Sequence, residues 1–161
     1  MELTTRGRYA VMAMADLARN GAGEPVALAA IAERQKLSLA YLEQLFARLR
    51  RAELVISARG RSGGYRLGRP ASQIVVSDIL NAVAEETRMT RCSGDEGLGC
   101  LGNTRCLTHN LWQALGAHIA AFLGSVTLEE VVKGGPVVAP DAQVAGAADG
   151  DRGDRERWAA E

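Results

Sequence analysis

The sequence predicts a mainly α chain with one small β-hairpin, and three observations predict it. Apolar residues recur at helical spacing from residue 4 to about 52 and again from 76 to about 132. The only strand-like runs are Leu54–Ser57 and Gly64–Leu67, set around a glycine-rich turn. Apolar residues make up 47% of the chain but aromatics only 4%, so the core must be built mostly from Leu, Val, Ile and Ala. At 161 residues this is one ordinary domain, or two small units sharing a core.

The first helix is expected from Thr4 to about Asn20. Thr4 or Thr5 can cap its start, and Asn20-Gly21 is a stop signal. Tyr9, Met12, Ala13, Asp16 and Leu17 have helical spacing, with Met12 and Leu17 as the expected core contacts. A second helix covers Leu28 to Gln35, with Leu28, Ile31 and Ala32 inward. Ser38 is placed to cap a third helix that runs to about Ala52. Leu42, Leu45, Phe46 and Leu49 fall at i, i+3, i+4 and i+7, a single apolar stripe. The opposite face shows Ala40, Tyr41, Glu43, Gln44, Arg48 and Arg51. The hairpin follows, turning through Arg59-Gly-Arg-Ser-Gly63. A fourth helix is expected over 76–85. A fifth runs from about Thr108 to Leu123, with Trp112, Leu115, Ile119, Phe122 and Leu123 on one wide face. That face is too apolar for water and should meet the head or a second subunit. Thr127 can cap a last turn through Val132. From Gly134 the apolar periodicity ends, so residues 134–161 are expected to be a disordered tail.

Charge is distributed unevenly. Residues 1–69 carry twelve Lys/Arg against six Asp/Glu, a net +6, and residues 70–161 carry seven against thirteen, a net −6. A basic first half points to nucleic acid. Two helices joined by a tight turn, then a basic hairpin, form a winged helix-turn-helix. Its third helix would lie in the major groove of double-stranded DNA. Tyr41 and Gln44 are the base-reading candidates, and Arg48 and Arg51 the phosphate contacts. Arg59 and Arg61 at the hairpin tip suit a narrow minor groove. Glu43 would repel phosphate but can accept from cytosine N4. The bland alternative, a merely solvated basic face, sits poorly with seven arginines against one acid (Glu53) over residues 48–69.

All three cysteines lie between 92 and 106, spaced Cys92-x7-Cys100-x5-Cys106-x2-His109. Glycines 94, 97, 99 and 102 let the backbone wrap closely around something there. Three sulfur donors and an imidazole suit an iron–sulfur cluster or zinc. The absence of a short Cys-x2-4-Cys knuckle favours the cluster. Redox thiols without metal are the third reading. A Cys106–His109 nucleophile lacks an orienting third group, so no enzyme is expected. No hydrophobic targeting or membrane-spanning run occurs, and clustered thiols fit a reducing cytoplasm.

Leu3-Thr-Thr-Arg-Gly-Arg-Tyr-Ala-Val-Met-Ala-Met, Leu39-Ala-Tyr-Leu-Glu-Gln-Leu-Phe-Ala-Arg-Leu-Arg and Arg59-Gly-Arg-Ser-Gly-Gly-Tyr-Arg-Leu resemble the IscR-type iron–sulfur cluster regulators. Cys106-Leu-Thr-His-Asn-Leu-Trp and Phe122-Leu-Gly-Ser-Val-Thr-Leu extend the resemblance over residues 1–133. It implies a homodimeric repressor of cluster-assembly genes with a 2Fe–2S cluster on each subunit, supplied by the assembly machinery. The implied ligands are Cys92, Cys100, Cys106 and His109. Cluster-free protein would still bind a second class of sites, and Glu43 would discriminate between the two. The implied division is 1–69 as DNA-binding head, 70–133 as cluster loop and dimerisation helix, and 134–161 as tail. Departures from the pattern are the seven-residue first gap, where five is common, Ala40 for a serine and Arg61 for a proline. A sister group senses nitric oxide through a 4Fe–4S cluster. It takes an aspartate near the start of the first helix as fourth ligand, where this chain has Arg8.

Overall fold

The structure is a computed structural model, and it describes residues 4–21, 23–60, 63–85 and 105–135. Arg61, Cys92, Cys100 and the tail beyond residue 135 lie outside the described residues. The elements are α1 (Thr5–Gly21), α2 (Leu28–Gln35), α3 (Leu39–Arg51), β1 (Val55–Ala58), β2 (Gly64–Leu67), α4 (Val76–Ala82), α5 (His109–Ser125) and α6 (Leu128–Val132). The mainly helical chain with one antiparallel hairpin is the predicted class.

The stripe on α3 is wholly buried: Leu42, Leu45, Phe46 and Leu49 enter the core with Ile31 of α2. Phe46 packs edge-on against Tyr65 of β2, with ring centroids 4.9 Å apart. β1 pairs with β2 from Val55 opposite Leu67 to Ala58 opposite Gly64. The strand starts one residue later than expected, because Leu54 closes the end of α3 and is buried in the core. A third backbone segment joins the hairpin, where Val26 and Tyr65 exchange amide–carbonyl bonds of 2.9 Å. Gly64 permits this approach, since a Cβ there would lie 2.4 Å from the Val26 carbonyl oxygen. Its value is closeness to a neighbouring backbone rather than turn geometry.

α1 is the central strut. It packs on α2, α3, β2, α4 and α6. Its buried face is Gly7, Ala10, Ala13, Met14 and Leu17. Met12, expected inside, is 37% exposed, and Met14 takes its place. The helix is gripped from two sides, so its buried stripe is set by close approach through small residues. The core continues past residue 69, where Ile74, Ile79, Val83 and Leu128 join the same cluster. Leu128 N–H donates to the Ile74 carbonyl at 2.8 Å, and Val76 N–H to that of Val126 at 2.9 Å, which ties the α5–α6 corner to the start of α4.

Caps follow the sequence in part. Thr127 and Glu130 form the full reciprocal box at the start of α6. Ser38 occupies the cap position of α3, but its side chain makes no capping bond. α4 ends at Ala82 rather than at residue 85, because the chain turns through Ala84 at φ 55°. Glu85 N–H donates to the Leu80 carbonyl and Ala84 N–H to that of Asn81, both at 3.0 Å, the bond pair that closes a helix with a left-handed residue.

Asp16 carries the one charged contact between α1 and α2. Its side chain is only 2% exposed. Arg34 meets it with Nε at 3.0 Å from Oδ2 and Nη2 at 2.5 Å from Oδ1, and Gln35 Nε2 donates at 2.7 Å. Burial pushes the carboxyl up, but the bonds from Arg34 and Gln35 outweigh it and hold it below the ordinary 3.8. The folded state therefore keeps Asp16 ionised after the unfolded chain has begun to take up protons. Its contribution is complete above about pH 4 and is lost as pH falls through the lowered value. Asp16→Asn should cost about 1–3 kcal/mol at neutral pH, read by urea unfolding. The variant's stability should also fall less steeply below pH 4 than the parent's. Equal acid slopes would show that Asp16 does not carry the linkage.

Candidate nucleic-acid interface and metal ligands

The helix that the sequence assigns to base reading shows its polar face to solvent. Tyr41, Gln44, Arg48 and Arg51 recur at i, i+3, i+7 and i+10, which places them along one side of α3. Gln44, Arg48 and Arg51 are exposed, and Glu43 is exposed on the neighbouring row. Tyr41 is half-buried, its ring set edge-on to Tyr9 of α1 at 6.1 Å and 85°. Among the described residues, Arg48, Arg51 and Arg59 have no acidic partner, so their charge is available to a polyanion. Arg69 is different. It pairs with Asp78 at 2.5 Å and belongs to the fold. Arg59 is exposed just beyond β1, at the end of the hairpin where the chain turns toward β2.

The sequence missed residues that share this surface. Thr4, Thr5 and Arg6, at the start of α1, line a cleft of about 450 Å³ together with Tyr41, Gln44, Leu45 and Arg48. The N-terminal turn of α1 therefore flanks the row assigned to reading bases. Arg6 and Arg8 counted toward the basic first half, but no local pattern marks Arg6 as a neighbour of Gln44.

Of the four expected metal ligands, Cys106 and His109 are described. Both are half-buried. They sit on the single turn that opens α5, where His109 N–H donates to the Cys106 carbonyl at 3.0 Å. The Cys106 thiol is in no disulfide and lies 3.6 Å from the Thr108 hydroxyl. A thiol and an imidazole on one turn, both partly open, form half of a soft donor set. This is compatible with iron–sulfur or zinc ligation. The described residues hold no group of three or more metal-binding side chains, and Cys92 and Cys100 fall outside them.

A helix pair, a basic hairpin and an unpaired row of amide and guanidinium groups define a winged-helix DNA-binding transcription regulator. Residues 3–134 match the Rrf2 family model, described as an iron-dependent transcriptional regulator, and the chain belongs to that family. It is 56% identical over 133 residues to the HTH-type transcriptional regulator IscR of Xenorhabdus nematophila, covering 83% of this chain and 80% of that one. Against the IscR of Photorhabdus laumondii, identity is 52% over 152 residues, covering 94% and 89%. The solved structure of T. potens IscR superposes with a TM-score of 0.68 at 39% identity, covering 83% of this chain and 87% of that one. CymR (YrzC), the global cysteine regulator of B. subtilis, superposes at 0.69 with 33% identity, covering 83% and 97%. These relatives are transcription regulators, so the chain regulates transcription and is not an enzyme. No described helix is long and apolar enough to cross a membrane.

The row on α3 makes a divided prediction. Gln44→Ala should relax base preference at one position, with a loss of about 1–3 kcal/mol against the preferred base pair. Arg48→Ala should weaken binding to all duplexes and reduce the salt slope by about 1. Competition binding of a preferred and a scrambled duplex at several salt concentrations separates the two. Uniform weakening by Gln44→Ala would remove it from base reading.

Proposed function

We propose that this protein is a homodimeric cytoplasmic repressor of iron–sulfur assembly genes, which reports cluster supply through a 2Fe–2S cluster held by Cys92, Cys100, Cys106 and His109. The observation that carries the reading is the Cys106–His109 turn. It places two soft donors at the root of the long apolar helix of an iron-dependent regulator. When bound, the cluster supplies a ligand whose presence depends on cellular iron and sulfide and on the assembly machinery that donates it. The chain's own residues do the rest. Residues 1–69 carry DNA reading: Tyr41, Glu43 and Gln44 face base edges, Arg48 and Arg51 hold phosphates, and Arg59 and Arg61 enter the minor groove. Glu43 makes the choice between site classes, since its carboxylate is repelled by phosphate and accepts from a cytosine amine. Residues 70–133 carry the cluster ligands and the dimer helix, and 134–161 are the tail.

Homodimerisation is supported by α5. Its 17 residues include no buried one, although the helix is apolar along most of its length. Leu111 is 59% exposed, and Trp112 and Phe122 are also open. Leu111, Leu115 and Phe122 share a face by helical spacing. Among the described residues, Leu123 at the C-terminal end of α5 packs with Val76, Leu80 and Val126, while Leu115 and Ile119 are half-buried. A second α5 is the occupant of matching length and chemistry.

Two experiments test the reading. Anaerobically purified protein should show broad visible absorption with about two irons and two sulfides per chain. His109→Ala should weaken cluster retention with an unchanged helical content. A colourless protein holding one zinc would remove the sensing mechanism and leave a zinc-stabilised regulator. Separately, Leu111→Glu with Phe122→Glu should halve the mass seen by sedimentation, because each apolar side chain contributes about 1.5–3 kcal/mol when buried. Operator affinity should fall with it. A dimer that survives both substitutions would place the interface elsewhere.

A further inference from the structure

The point where α4 gives way to the cysteine-bearing segment is also where α1 begins. Glu85 is the last described residue before that segment, and its side chain is only 1% exposed. Its carboxylate accepts from the Thr4 amide, 2.7 Å from Oε1, and from the Thr4 hydroxyl at Oε2. Arg6 reaches across the same corner. Its Nη2 donates to the Ala84 carbonyl at 2.6 Å, while its Nε is buried, makes no hydrogen bond and lies 3.9 Å from Glu85 Oε2. Gly7 makes the approach possible, since a Cβ there would stand 2.8 Å from Glu85 Cγ.

The other side of the same helical turn faces DNA recognition. Thr4, Thr5 and Arg6 share a cleft with Tyr41, Gln44 and Arg48, and Tyr9 meets the Tyr41 ring one turn further on. One turn of α1 therefore touches both the carboxylate at the entry to the cysteine segment and the reading row of α3. Burying a carboxylate merely to anchor a helix end is costly, and an apolar side chain would fill the same space. What a carboxylate adds is a choice of partner. It accepts from Thr4 here, and the Arg6 Nε, already at ion-pair distance but without a hydrogen bond, is a second partner about 0.7 Å beyond hydrogen-bond range.

We propose that Glu85 is a positioning residue that couples the cysteine-bearing segment to the DNA-reading row, by exchanging its hold on Thr4 for one on Arg6. The proposal rests on the cluster-sensing reading above. Cys92 is seven residues further along the chain. Among the described residues, Glu85 stands nearest to that cysteine in sequence on the α4 side, so we take it as the point at which ligation there acts on the packed core. Moving the carboxylate from Thr4 to Arg6 shifts the first turn of α1, and with it the wall of the cleft beside Gln44 and Arg48. Coupling of this kind needs a local element with two arrangements that both sites bias, and the Thr4–Glu85–Arg6 corner supplies one.

The test uses the full chain and a duplex selected from random sequence by the cluster-loaded parent and counter-selected against the cluster-free parent. The readout is the ratio of dissociation constants with and without cluster, by fluorescence anisotropy. Iron and sulfide content are matched between samples. For the parent, a coupled system should give a ratio of about 5- to 150-fold. In Glu85→Gln, which keeps the shape but removes the charge that attracts Arg6, the ratio should collapse to within about 2-fold of unity. Gly7→Ala, which crowds Glu85 from the α1 side and leaves the carboxylate in place, should also reduce it. This second variant decides the matter if the first does not fold. Amide hydrogen exchange over residues 4–10 gives a readout apart from DNA binding. It should differ between loaded and cluster-free parent and be indifferent to loading in Glu85→Gln. A folded Glu85→Gln that retains the parent's ratio overturns the proposal alone. Failure to select any duplex that separates loaded from cluster-free parent overturns both the proposal and the sensing reading. Variants that no longer load cluster also overturn it, since Glu85 would then act at the metal ligands rather than on α1.

Discussion

Everything in this fold hangs on α1 being pinned near both ends by a buried carboxylate. Glu85 holds the first turn through Thr4. Asp16 holds the last turns through Arg34 and Gln35 of α2. Burial alone would raise both groups, yet both are held below their ordinary values, because the donors around them outweigh the lost water. Between the two pins the helix presents Ala10, Ala13, Met14 and Leu17 to the core. Small residues let neighbours come close, and carboxylates fix the angle at which they do. The helix-turn-helix and hairpin pack on the strut, and so do α4 and α6. A change at one end of α1 is felt by every element packed along it, and α3 and α4 also meet directly.

This arrangement also shows why a winged-helix head does not end at its hairpin. Ile74, Ile79, Val83 and Leu128 come from beyond residue 69, yet they pack in the same cluster as Leu42 and Phe46. α3 is therefore supported by residues on both sides of the cysteine segment. The backbone bonds at Ile74–Leu128 and Val76–Val126 close that support. Among the described residues, α4 and α6 share one packed core with α3, so a shift in either is passed through close contacts.

Much of this was legible in the sequence where the signal is local. The i, i+3, i+4, i+7 stripe of α3 reads directly as a buried face. The Thr127–Glu130 box marks its own helix start, and glycines around β2 mark a hairpin. The misses are tertiary. Met12 and Met14 are equally apolar, and which one is buried depends on the second layer packed against α1. Ala84 takes a left-handed conformation with no glycine to announce it, so the end of α4 could not be read from residue types. Gly64 read as the first residue of a strand, and no local signal marked its service to an approach by Val26, from a segment nearly forty positions earlier.

The site divides in the same way. Gln44, Arg48 and Arg51 were visible as the polar face of one helix, because 3.6-residue periodicity is all that face requires. Cys106 and His109 were visible because soft donors at close spacing seldom serve ordinary packing. Thr4, Arg6 and Glu85 were not visible. Glu85 meets Thr4 across 81 positions of sequence, and nothing about a lone glutamate before a cysteine segment says which backbone amide it will bind. The fold brings them together because α4 must end where α1 starts for the two helices to pack side by side. The residues that would carry a signal are thus those that meet only once the core has formed, while the residues that would receive and deliver it can be read from spacing alone.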